Sequence, residues 1–96
     1  MNLRVEITGN RSVQEDLFEM LEKKKLSSHY TLITEALGNG NSGPRRGDAI
    51  WPEENFVVVI YCDKATAKEI RAIVDSVKEH FPDEGLKMFA VKTEVI

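Results

Sequence analysis

A single cysteine, three prolines and two histidines stand in 96 residues. Cys62 therefore has no partner for a disulfide within the chain, which fits a reducing, cytoplasmic setting. With so few histidines and cysteines there is no C-x-x-C and no H-x-x-x-H, so no metal-chelating spacing is present. No apolar run approaches the roughly 18 residues of a membrane-spanning helix, and no charged-then-apolar leader opens the sequence. Neither membrane insertion nor secretion is expected. A basic surplus is missing as well: 13 Lys and Arg face 16 Asp and Glu, a formal net charge of −3. Binding to nucleic acid, which needs a basic face to neutralise phosphates, is not expected.

What remains, 42% hydrophobic and 30% charged residues, is the composition of an ordinary soluble domain. The length allows one core, so residues 1–96 are read as a single domain. A core this small buries only about 60–65% of the unfolded surface, and association between copies would help it.

"LRVEI" (3–7) alternates, with Leu3, Val5 and Ile7 on one side, and predicts a strand with one buried face. "SVQE" pairs Ser12 with Glu15 as a capping box, opening an amphipathic helix over 13 to about 25 on Val13, Leu17, Met20 and Leu21. "HYTLITEAL" (29–37) has the β-branched and aromatic content of a second strand. "FVVVIYC" (56–62) predicts a third, and its unbroken apolar run predicts burial on both faces. "TAKE" offers a second capping box, Thr66 with Glu69, before a stripe of Ala67, Ile70, Ile73, Val74, Val77 and Phe81 that is stopped near Pro82. "LKMFAV" (86–91) supplies a fourth strand.

The order β-α-β-β-α-β predicts an α+β, ferredoxin-like βαββαβ sandwich, an antiparallel sheet with two helices on one face. The other sheet face then needs water or a partner. The doubly apolar third strand points to a partner, most simply further copies of the same chain.

"GNGNSGPRRGDAIWPEEN" (38–55) fits neither a helix nor a strand. Loops beyond about 12–15 residues are uncommon in compact domains unless functional or disordered. Gly38, Gly40 and Gly43 fit G-x-G-x-x-G in form, but Pro44 and a strand follow where a dinucleotide site needs a helix. There is no G-K-[ST], and the "RGD" of 46–48 carries no meaning in a chain that is not secreted. The glycines permit backbone N–H groups to converge on an anion, and Arg45 and Arg46 add donors matched to phosphate or carboxylate. Trp51 is an amphipathic anchor. The alternative is a solvated hairpin in which the arginines, Asp48, Glu53 and Glu54 pair weakly at the surface.

Architecture and loop together resemble the PII signalling superfamily. "TLITEALGNGNSG" is similar to the strand T-x-x-E-V-x-G-x-G that enters the family's regulatory T-loop, with Gly38 and Gly40 on its G-x-G. "DEGLKMFAV" is similar to the B-loop and following strand G-D-G-K-I-F-V with one residue inserted, which puts Glu84, Gly85 and Lys87 near the acidic residue, glycine and lysine. The resemblance implies a homotrimer that binds a small anionic effector between subunits and signals through residues 38–55 to a protein target. ATP, ADP or AMP are the implied effectors, and no cofactor is required. Gly38, Gly40 and Asn41 would approach the phosphates or base, and Lys87 would neutralise phosphate charge. The segment is shorter than a true T-loop and has no tyrosine, so the site of uridylylation is missing. A phosphate-gripping arginine pair of the family falls where this sequence reaches Ile96, which leaves Arg45 and Arg46 to replace it.

Catalysis is not expected. Cys62 ends a strand without a basic neighbour in sequence, and His29 and His80 stand far apart. Two rival readings remain: a CutA-like trimer that binds divalent metal through ligands brought together across interfaces, and an interaction module without a small ligand.

Overall fold

A computed structural model describes residues 2–26, 29–40, 43–45 and 54–96, with 39, 40 and 43–45 described by backbone alone. The elements are β1 (Leu3–Asn10), a 3-10 turn (Arg11–Val13), α1 (Gln14–Lys23), β2 (Thr31–Ala36), β3 (Gly38–Gly40), β4 (Gly43–Arg45), β5 (Asn55–Cys62), α2 (Lys64–His80) and β6 (Leu86–Lys92). Four strands form one antiparallel sheet in the order β2-β5-β1-β6, the ferredoxin-like arrangement the sequence predicts.

Alternation along β1 and β5 sends Val5, Ile7, Phe56, Val58, Ile60 and Cys62 to one face, where they are buried. The helices cover that face with Leu17 and Leu21 from α1 and with Ala67, Ile70, Ile73, Val74 and Val77 from α2. The predicted helical stripe is therefore the core stripe, except that Phe81 is the exposed C-cap of α2. Gly9 has a packing reason to be glycine. A Cβ there would lie 2.7 Å from Leu86 Cδ1 and 2.9 Å from Phe56 Cζ, so the Phe56 ring occupies the space of the missing side chain.

Both capping boxes are displaced. Asn10, not Ser12, supplies the first cap: its side-chain oxygen accepts from the Ser12 N–H at 3.3 Å, and a 3-10 turn intervenes before α1. Asp63 caps α2, its Oδ1 accepting from the Thr66 N–H at 2.8 Å, so Thr66 lies inside the first turn. The end of α1 is closed by Lys25 in the left-handed region (φ 58°), with the Leu26 N–H donating to Leu21 O at 2.8 Å.

The expectation for 38–55 is corrected at its start. Gly38↔Arg45, Asn39↔Pro44 and Gly40↔Gly43 pair as a short two-stranded hairpin. Before it, β2 carries a bulge. The two residues between Ile33 and Ala36 oppose the single residue between Val57 and Asn55, and Glu35 takes φ 61° to absorb the extra residue.

Burial of β5 on both faces is met in part. Away from the helices, Val59 is buried and Val57 half-buried, but Tyr61 is exposed. Ile33, Tyr61, Phe89 and Val91 stand exposed on this face around the Arg4–Glu6 ion pair (2.9 Å), Phe89 at 61% and Val91 at 56%. One chain leaves a largely apolar sheet face open to water.

Candidate functional site

The candidate ligand residues gather at one end of the sheet. Asn10 ends β1 opposite Asn55 at the start of β5, Ala36 at the end of β2 pairs with the same Asn55, and Gly9 faces Leu86 at the start of β6. Segments 36–45 and 84–87 therefore emerge on the same side of the molecule.

They do not meet. β2 and β6 are the two opposite edges of the sheet, three inter-strand spacings apart, or about 14 Å at 4.7–4.9 Å each. The hairpin of Gly38, Gly40 and Arg45 follows β2, with Gly38 against Asn55 of β5; Lys87 lies on β6, and Glu84 and Gly85 bond Asn10 of the central strand β1. Asn41 and Arg46 fall outside the described residues, and so does Trp51.

Each described position has its own local reason. A Cβ on Gly38 would come 2.8 Å from Asn55 Nδ2, so the hairpin enters against the amide side chain of β5. Glu84 is half-buried and its Oε2 accepts from Asn10 Nδ2 at 2.9 Å. Gly85 O accepts from the Asn10 N–H at 2.8 Å. A Cβ at Gly85 would meet nothing within 4 Å, so packing within the chain does not demand a glycine there. Lys87 is exposed, pairs in register with Thr8 and points to the open face of the sheet. Of the predicted set it is the described cationic side chain placed to meet an anion.

Sequence reasoning passed over the residues that organise this end. Asn10 is 2% exposed and joins the 84–85 turn to the start of the first helix. Its neighbour Arg11 donates its N–H to Glu54 O at 2.7 Å, and its guanidinium lies 3.8 Å from Glu54 Oε2. Glu54, expected to be solvated, has a side chain only 19% exposed, and its Oε2 is buried without a hydrogen bond among the described residues. The doublet "EE" gave no means of telling Glu54 from Glu53, because the distinction depends on Arg11, which is remote in sequence.

The displaced titrating groups sit at the far end of β5. Burial pushes the Cys62 thiol up, with the Asp63 carboxylate adding to the effect and the N-terminus opposing it. Hydrogen bonds from Thr66 hold the Asp63 carboxyl below its ordinary value. Among the described residues no group of three or more His, Cys, Asp or Glu is placed to hold a metal ion. Among the described residues no helix is long and apolar enough to cross a membrane.

No family model matches the chain, and no curated protein matches it either. Solved structures do. CPII, a nitrogen regulatory PII-like protein from Thiomonas intermedia K12 bound to ADP, AMP and bicarbonate, superposes with a TM-score of 0.67 at 11% identity over 96% of this chain and 87% of its own. A putative PII-like signaling protein from Thermus thermophilus gives the same TM-score at 20% identity, over 100% and 94% of the two chains. The de novo designed protein Foldit4 also matches, with a TM-score of 0.55 at 16% identity over 98% and 100%. The chain thus has the fold of the PII-like proteins. A designed chain shares the architecture, so the fold by itself assigns no ligand.

Proposed function

We propose that this chain is a PII-like regulatory protein. It assembles as a homotrimer through the open sheet face, binds an adenine nucleotide between neighbouring subunits, and signals through residues 38–55 to a protein target. The observation that carries this reading is that, at one end of the sheet, the hairpin follows one edge strand, β2, while Lys87 lies on the other, β6. Among the described residues Lys87 and the hairpin stand on strands that do not pair within one chain, whereas a neighbour that presents its β2 edge to the β6 edge of the first would place a Gly38 hairpin beside Lys87. The exposed apolar residues of the open face, Ile33, Tyr61, Phe89 and Val91, supply the reason to associate.

In such a cleft Lys87 neutralises phosphate charge, and the glycines of the hairpin let the backbone come close. Arg45 and Arg46 serve as further phosphate donors, and Asn41 contacts phosphate or base. Glu84 and Gly85 hold the turn that carries Lys87 through their bonds to Asn10. The role is non-catalytic and needs no resident cofactor. CPII, crystallised with ADP and AMP, supports the choice of adenine nucleotides as the first ligands to try.

The experiment joins light scattering, for mass, to calorimetric titration with ATP, ADP and AMP. A trimer that binds one nucleotide per subunit is expected. Lys87→Ala should weaken binding about tenfold or more while leaving the mass unchanged. Phe89→Glu should break the trimer and abolish binding together. A monomer with full affinity would refute the intersubunit site. A trimer that binds none of the three nucleotides would refute the ligand.

A further inference from the structure

A groove of about 450 Å³ runs between α1 and the edge strand β2, on the helix-covered side of the sheet. It lies away from Lys87 and the open face, and none of the described candidate ligand residues lines it. Its floor is apolar: Phe18 and Leu32 are partly buried against the core. The Tyr30 ring leans on Phe18 with centroids 5.0 Å apart and planes at 57°, and Tyr30 remains 47% exposed, so its ring is open to a visitor.

The rim is acidic. Glu15 and Glu22 line the groove on either side of Phe18, three and four residues away on the same helical face. Both are exposed, and neither carboxylate makes a hydrogen bond or ion pair with any described residue. The cation that also lines the groove, Arg11, is turned toward Glu54 at 3.8 Å. Lys23 follows Glu22 directly and therefore projects about 100° further round the helix, off this stripe. Two carboxylates without a partner among the described residues thus stand seven residues apart, about 10 Å along the axis, with an aromatic and aliphatic floor between them.

We propose that this groove binds a linear aliphatic polyamine. Ammonium groups at the two ends would meet Glu15 and Glu22, and the methylene stem would lie over Phe18, Leu32 and the Tyr30 ring, which also attracts the cation. Spermidine at full extension spans both carboxylates. Putrescine, little more than half as long, reaches one at a time. A monoamine lacks the second charge, and magnesium lacks the apolar stem.

The test is calorimetric titration of the full chain with spermidine, putrescine, butylamine and magnesium at matched ionic strength, with amide NMR spectra to locate the contact. Saturable binding of one spermidine per chain is expected, at least tenfold tighter than butylamine, with shifts confined to α1 and residues 30–33. Glu15→Gln and Glu22→Gln should each weaken it about tenfold, and Tyr30→Ser a few-fold. All three positions are exposed, so an unchanged thermal midpoint verifies that each variant is folded. Magnesium matching spermidine, the two glutamine variants binding like the wild type, or shifts centred on residues 86–92 would each overturn the proposal. Tighter capture of an oligolysine peptide than of spermidine would overturn the small-amine assignment. Nucleotide binding is read separately in the same spectra, so its failure leaves this result standing.

Discussion

Replacing Asn10 tests the account of the site's framework most sharply. Its side chain makes two bonds that matter here: Nδ2 donates to Glu84 Oε2 at 2.9 Å, and Oδ1 accepts from the Ser12 N–H at 3.3 Å. Asn10→Ala removes both. A hydrogen bond to a charged acceptor contributes about 1.5–3 kcal/mol. A cap contributes about 1 kcal/mol, and less at this length. Because Glu84 is only half-buried, water recovers part of the loss, and the expected cost is about 2 kcal/mol. For a domain of this size that lowers the thermal midpoint by about 8–16 °C.

A swap then isolates the pair. Asn10→Asp keeps the cap acceptor but sets a carboxylate against the Glu84 carboxylate, so at neutral pH it should cost more than Asn10→Ala. The deficit should shrink as acid protonates one of the two groups. Asn10→Asp combined with Glu84→Gln exchanges donor and acceptor and should recover most of the stability. Urea denaturation of the four proteins of this cycle, at one protein concentration so that assembly does not enter, gives the coupling directly. If Asn10→Ala costs under about 0.5 kcal/mol, or the exchanged pair is no better than Asn10→Asp alone, Asn10 does not hold the 84–87 turn.

Three further outcomes follow from the fold. Gly9→Ala drives a methyl into Leu86 Cδ1 and the Phe56 ring, so it should destabilise by about 1–3 kcal/mol in chemical denaturation, despite the entropy that alanine removes from the unfolded chain. Cys62 is buried with its thiol pushed up, so Ellman's reagent should react slowly with the native protein and quickly in urea. Since its folded value is raised, any stability it lends is present below the ordinary thiol value and lost as pH rises through the folded one. Asp63 is held below its ordinary value, so its cap stabilises above that value and fades as pH falls through the lowered one. The difference in urea midpoint between wild type and Asp63→Ala should therefore narrow in acid; a constant difference would mean that the carboxylate charge has no part in the cap.

Periodicity made most of the fold legible. Leu3, Val5 and Ile7 alternate, Ala67 to Val77 recur at 3.6-residue spacing, and both patterns mark buried faces. Local motifs were less reliable because a capping box records residue types and not dihedral angles. Asn10 and Asp63 each lie just upstream of the residues expected to cap. The β3–β4 hairpin was hidden by its glycines and Pro44, which strands normally avoid. The β2 bulge was hidden for the opposite reason, since Glu35 takes a conformation for which glycine would have been the signal.

The candidate site was legible as a set of residues but not as a place, because distance across a sheet depends on strand order. Two adjacent residues set the frame. Asn10 bonds Gly85 and Glu84 on one side, and Arg11 bonds Glu54, the residue before β5, on the other. Both belong to the end of the central strand, so the turn that carries Lys87 and the stem that closes residues 38–55 are anchored to one point of the sheet. Lys87 itself holds nothing in place. Its side chain is exposed, and its ammonium has no hydrogen bond or ion pair with any described residue. Substitution at Asn10 should therefore lower stability first and affinity only through the framework. Substitution at Lys87 should leave stability nearly unchanged and weaken the proposed nucleotide binding about tenfold or more. If Lys87→Ala instead unfolds the chain, or Asn10→Ala abolishes nucleotide binding at full stability, the division between framework and ligand contact is drawn in the wrong place.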